Sequence, residues 1–104
     1  MILYNTTFIV EETVHDDWFL WLKEDHINDY LNSKCFEGAR LGKITSHVEE
    51  GAVSYSLQLF AKDELTLDQF KNNFLSKIQQ KSIQKYGTSV LSFASEMEHI
   101  ADFS

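Results

Sequence analysis

The chain reads as an α+β domain of order βαββαβ: a four-stranded antiparallel sheet with two helices on one of its faces. Two observations predict this. Four stretches alternate their side chains with the period of a strand, and two repeat apolar residues with the period of a helix. In the central strands the alternation also separates an oily set of side chains from a mixed set, so one sheet face is expected to be covered and the other not.

Residues 2–10 are rich in β-branched and aromatic residues and read as a strand. Ile2, Tyr4, Thr6, Phe8 and Val10 point one way, Leu3, Asn5, Thr7 and Ile9 the other; the first set is the more apolar and is expected to face the core. A helix begins near Thr13, which is placed to cap it, with Asp16 and Asp17 near the positive end of its dipole. Val14, Trp18, Trp21 and Leu22 form one helical face, and then the pattern slips, since Ile27 and Leu31 fall on the opposite side of a straight helix. Two readings account for the slip. One is a break or bend near residues 25–28 with a short second segment to about Asn32; the other is a continuous helix, apolar on two faces and gripped between two layers.

Residues 35–48 and 52–61 read as a hairpin. With Glu50-Gly51 as a two-residue turn, Val48 faces Val53, Ile44 faces Leu57 and Gly42 faces Leu59 on the oily side. On the mixed side His47 faces Ser54, Thr45 faces Ser56, Lys43 faces Gln58 and Leu41 faces Phe60. A second helix spans 66–86. Thr66 and Gln69 are spaced as a capping box, Leu65 and Phe70 as a hydrophobic staple, and Leu67, Phe70, Phe74, Ile78 and Tyr86 line one face before Gly87 stops it. Residues 88–97 form the last strand, with Leu91, Phe93 and Met97 alternating against Val90, Ser92 and Ala94, and a short extension follows to Ser104.

Strand–helix–strand–strand–helix–strand is the split βαβ, or ferredoxin-like, arrangement, and right-handed crossovers place both helices on one sheet face. The bare face is then expected to carry Leu3, Asn5, Thr7, Ile9, Leu41, Lys43, Thr45, His47, Ser54, Ser56, Gln58 and Phe60. That mixture is too apolar to be plainly solvated and too polar to be a core. A second copy packed sheet to sheet would cover it, so a two-fold homodimer, a dimeric α+β barrel, is expected.

The length of 104 residues suits one domain over 1–104, and the absence of proline, with only four glycines, leaves no linker. A net charge of -7 disfavours nucleic acid and anionic membranes as partners. Lys71, Lys77, Lys81 and Lys85 on the second helix read as a solvated face rather than a basic patch. No run is long enough to cross a bilayer and no secretory signal is evident. Cys35 is the only cysteine, so no internal disulfide forms and a reducing, cytoplasmic setting is expected.

Tyr4-Asn5, the run Trp18-x-x-Trp21-Leu22-Lys23-Glu24-Asp25-His26-Ile27, and Gly51-Ala52-Val53-Ser54-Tyr55-Ser56-Leu57-Gln58 together resemble a small family of bacterial proteins defined as a domain of unknown function. The resemblance spans nearly the whole chain. The family is similar in outline to the dimeric α+β barrels, which include cofactor-independent monooxygenases and haem-degrading enzymes. Its members usually carry proline where this chain has Asn28, which fits a helix break there. The resemblance implies a fold and assigns no activity.

His26, beside Glu24 and Asp25, reads either as a general base or ligand contact, or as a histidine that tethers the helix break. Asn5, Thr7, Lys43, Thr45, His47, Ser54, Ser56 and Gln58 read either as the polar wall of a small-molecule pocket inside the barrel, or as interface groups paired across the two-fold. Trp18 and Trp21 suit either core packing or stacking on a planar ligand. Cys35 has no histidine at a recognisable spacing. The histidines (His15, His26, His47, His99) show no paired spacing, so no metal site is expected. There is no phosphate loop, dinucleotide fingerprint, nucleophile elbow or HExxH, and no cofactor is expected. Two functions follow. The first is a noncatalytic dimeric module that binds a small molecule or a partner, with His26, Trp18, Asn5, Thr7, His47, Ser56 and Gln58 as candidate ligand contacts. The second, on fold analogy alone, is a monooxygenase-like or haem-degrading-like enzyme with His26 or His47 aimed into an apolar cavity.

Overall fold

Four strands, β1 (Ile2–Glu11), β2 (Gly38–Lys43), β3 (Ala52–Ala61) and β4 (Val90–Glu98), form one antiparallel sheet in the order β2-β3-β1-β4. The computed structural model describes residues 1–104. β1, the strand with the densest β-branched and aromatic composition, lies in the interior of the sheet, with Tyr4 opposite Leu59 on one side and Glu96 on the other. Both helices cover one face, giving a two-layer slab of 38 × 35 × 19 Å. This is the ferredoxin-like arrangement.

The alternation read from β1 and β3 holds. Tyr4, Thr6, Phe8 and Val10 are buried under the helices, as are Tyr55, Leu57, Leu59 and Ala61. Against them pack Trp18, Leu22 and Tyr30 of the first helix and Leu67, Phe70 and Ile78 of the second. Phe70 is the aromatic hub: Tyr30 stacks on it at 5.7 Å and Phe36 meets it edge-on at 4.7 Å.

The first helix does not break. It runs through a 3-10 turn (Glu12–Val14), an α-helix (His15–Trp21), a π turn (Leu22–His26) and an α-helix (Ile27–Asn32). A π turn takes in one extra residue and re-phases the helix beyond it. Trp18, Leu22, His26 and Tyr30, four apart, therefore all reach the core. Asn28, expected at a break, donates its side-chain amide to the Glu24 carbonyl at 2.8 Å, a bond suited to a turn whose backbone ladder is interrupted. Thr13 is not a cap, because it lies within the 3-10 turn and no side chain caps this end.

The second helix begins two residues earlier than expected, running as Glu64–Phe70, a π turn (Lys71–Leu75) and Ser76–Tyr86. Its cap is Asp63, whose carboxylate accepts from the Thr66 amide at 2.8 Å and the Thr66 hydroxyl at 2.6 Å. Those bonds hold the Asp63 carboxyl below its usual range. Thr66 is thus the capped residue rather than the cap, and Leu65 is exposed rather than stapled. Gly87 ends the helix with φ +56, a conformation that other L-residues rarely adopt.

The β2–β3 register also differs from the two-residue-turn expectation. Lys43 lies opposite Tyr55 instead of Gln58, and Leu41 opposite Leu57 instead of Phe60. The shift is odd, so it reverses the faces of β2. Leu41 turns under the helices and packs on the core, while Gly38, Arg40 and Gly42 take the open face. Burying Leu41, the one large apolar side chain of β2, fixes the alignment. β2 ends at Lys43, so Thr45, His47 and Val48 sit in a loop, with His47 at φ +53 and Gly51 at φ +82.

Candidate functional site

The open face of the sheet is built in rows set by the strand register. From β2 to β4 the first row is Gly38, Phe60, Leu3 and Met97; the second is Arg40, Gln58, Asn5 and Ser95. The third is Gly42, Ser56, Thr7 and Phe93, and beyond it Ser54, Ile9 and Leu91 lie side by side. A polar stripe thus crosses the middle of the sheet between two apolar ends. Within it the Ser56 hydroxyl donates to Asn5 Oδ1 at 2.5 Å. Leu91, Phe93 and Met97 are 53%, 59% and 58% exposed, high values for large apolar side chains on a sheet.

At the first row the C-terminal segment folds back, with the His99 amide donating to the Met1 carbonyl at 3.0 Å. It borders an open concavity of about 270 Å³ lined by Met1, Leu3, Phe60, Met97 and Glu98, with Ile100 and Phe103 on its outer, exposed side. A neighbouring concavity of about 290 Å³ shares Met1 and Phe60 and adds Glu37 and Arg40. The Arg40 guanidinium lies over the Phe60 ring, 5.5 Å from its centre.

His26 and Trp18 lie on the other side of the sheet, in the core. His26 is 1% exposed, stacked on Trp21 at 4.4 Å and edge-on to Tyr30 at 5.4 Å and to Phe8 at 6.1 Å. Burial pushes its imidazole down to about 4, with Asp29 opposing and Lys81 adding to the effect, so the ring is neutral. His26 Nδ1 and Trp18 Nε1 are both buried without a hydrogen-bond partner. Burial also raises the Tyr30 phenol.

Of the residues singled out in the sequence, Asn5, Thr7, Ser56 and Gln58 therefore come together on the open face. His26 and Trp18 are separated from them by the sheet itself, and His47 lies in the exposed β2–β3 loop. Lys43 and Leu41 face the helix side, and Thr45 has left the sheet. Arg40 and Ser95 were not foreseen, because the expected register turned Arg40 the wrong way and β4 was not assigned a face. Arg40 had one visible signal: it is the only arginine of the chain.

A second polar arrangement lies at the start of the first helix. His15 Nε2 meets the Tyr55 hydroxyl at 2.7 Å, and His15 Nδ1 meets Asp16 Oδ1 at 2.9 Å. Burial and the Asp16 charge raise the Tyr55 phenol. The three tie the helix to β3, a link over 40 residues that no local spacing announces. Cys35 is a buried free thiol in the connection before β2. On the second helix Lys71 pairs with Glu96 at 2.8 Å and Lys81 with Asp29 at 2.9 Å. No three His, Cys, Asp or Glu side chains are grouped to hold a metal ion, and no helix is long and apolar enough to cross a membrane.

Solved structures share this fold. An ethyl tert-butyl ether d (ethd) family protein from Bacillus halodurans C-125 superposes with a TM-score of 0.69 at 10% identity, covering 96% of this chain and 100% of its own. HapK from Hahella chejuensis gives 0.68 at 7% identity, covering 100% and 97%. A protein from an uncultured marine organism, described as a dimeric ferredoxin-like protein, gives 0.66 at 7% identity, covering 98% and 97%. At such identities the likeness is one of fold. No protein of curated function matches the chain in sequence. One family model spans residues 1–100, and by that match the chain belongs to the family described as domain of unknown function DUF4286.

Proposed function

We propose that the protein is a noncatalytic homodimeric module: the open sheet faces of two copies pack on each other and enclose a small-molecule site along the stripe of Asn5, Thr7, Ser56 and Gln58. The observation that carries this reading is the half-exposure of Leu91, Phe93 and Met97, which with Ile9 at one end of the face and Leu3 and Phe60 at the other flank the polar stripe. Apolar area of that extent on a sheet marks a surface that something covers. A self-complementary face with neutral polar groups at its centre suits an identical copy. One structural neighbour is itself described as dimeric. The oxygenase-like reading would need a general base on this face; His26 lies behind the sheet and His47 in a loop, so nothing favours it.

Sedimentation velocity of the full chain tests the proposal. The wild type should run as a dimer, and Phe93→Asp or Phe60→Asp, each placing a charge in the packed face, should run as a folded monomer. A wild-type monomer at tens of micromolar, or an unchanged dimer in both variants, overturns it.

A further inference from the structure

Among the residues that the strand register places between the row of Leu3 and the row of Ile9, the open face carries a single charged side chain, Arg40. In a chain with 16 acidic residues, Arg40 forms no ion pair. Glu11, on the same face, stands six residues along β1 from Asn5, roughly 20 Å away. Glu37 lines the concavity beside Arg40 without pairing with it. The guanidinium instead lies over the Phe60 ring, 5.5 Å from its centre, and Phe60 is also a wall of the apolar concavity bordered by the C-terminal segment. An apolar concavity thus opens beside an unpaired cation set over an aromatic ring.

We infer that these two adjoining concavities bind an amphipathic monocarboxylate, its apolar body between Leu3, Met97 and Phe103 and its carboxylate on Arg40. Guanidinium geometry matches a carboxylate with two parallel N–H bonds, and the Phe60 ring beneath gives the side chain a surface to rest on. The inference rests on the sheet-to-sheet reading in one respect. Packing two copies together withdraws Arg40 from water, and a buried cation without an anion is costly. Glu37 lines the same concavity and Glu98 the adjoining one, yet neither pairs with Arg40, so the ligand supplies the anion. The apolar concavity of about 270 Å³ sits at the small end of ligand pockets, which suits a short chain or a single ring system.

Isothermal titration calorimetry on the full chain, with octanoate and 1-naphthoate as probes and 1-octanol as the uncharged control, tests the inference, with sedimentation run in parallel. At least one carboxylate should bind one per protomer and more tightly than 1-octanol. Arg40→Gln should weaken carboxylate binding at least tenfold while leaving 1-octanol unchanged, Arg40→Lys should retain part of the affinity, and Glu37→Gln should raise it. No saturable binding of either carboxylate, or equal affinity in wild type and Arg40→Gln, overturns the inference. So does an Arg40→Gln protein that falls apart into monomers without ligand, since Arg40 would then serve the interface. A dimer that binds neither carboxylate removes the ligand and keeps the assembly; a monomer that binds through Arg40 removes the assembly and keeps the ligand site.

Discussion

His26 is a neutral imidazole in an aromatic cage, and its burial has a sign. Burial holds its folded pKa at about 4, below the usual 6.5 of an imidazole. Protonation therefore favours the unfolded chain: the contribution to stability is complete above about pH 6.5 and is lost as pH falls toward 4. The gap corresponds to about 3 kcal/mol. Urea melts between pH 7 and 4.5 should show this loss in the wild type, and His26→Leu should remove that part of the slope; parallel pH profiles for the two proteins would contradict it. Trp18, fully buried against Phe8 and Tyr55, packs as core, with ring centres at 5.4 and 5.5 Å. Trp18→Ala should cost about 3–5 kcal/mol in denaturant unfolding.

At the scale of elements, both helices solve the same problem. The first must keep Trp18, Leu22, His26 and Tyr30, four residues apart, on one face, and the second must bury Ile78 eight residues after Phe70; in a straight α-helix every four-residue step drifts by about 40°. The π turns at Leu22–His26 and Lys71–Leu75 absorb the drift. Glu24 and Asp25 are exposed within the first of them. Deleting Asp25 should convert the π turn to α and leave Trp18, Leu22, His26 and Tyr30 on one face. Deleting Asp17, in the regular segment, should rotate everything after it. The expected outcome is a cooperative melt for the first deletion and a much lower melting temperature for the second; the reverse order would refute the account. The β2–β3 hairpin shows the complementary lesson. A turn chosen from Glu50-Gly51 fixed a register that local chemistry allowed, and the burial of Leu41 overrode it.

The whole molecule is a slab with one side uncovered. Only 19 of 104 residues are buried, and of β4 only Val90. A compact monomer of this mass exposes about 6,000 Å². This chain exposes 6880 Å². The excess is comparable to the roughly 800 Å² that one partner hides in a standard interface. If two copies pair, association stabilises the fold by mass action, so the melting temperature should rise with protein concentration. The rise should vanish in Phe93→Asp; a concentration-independent wild-type melt would leave the open face without its second copy.

Strand and helix order, the inward set of β1 and β3, the stop at Gly87 and the polar stripe of Asn5, Thr7, Ser56 and Gln58 were all written in local periodicity, because alternation along one strand needs no partner to be read. The π turns, the β2 register and the place of Arg40 were not. Each depends on which of several locally adequate choices buries the most apolar surface across the layers, as Leu41 does for β2 and His26 for the first helix. That balance exists only once the sheet and helices are assembled.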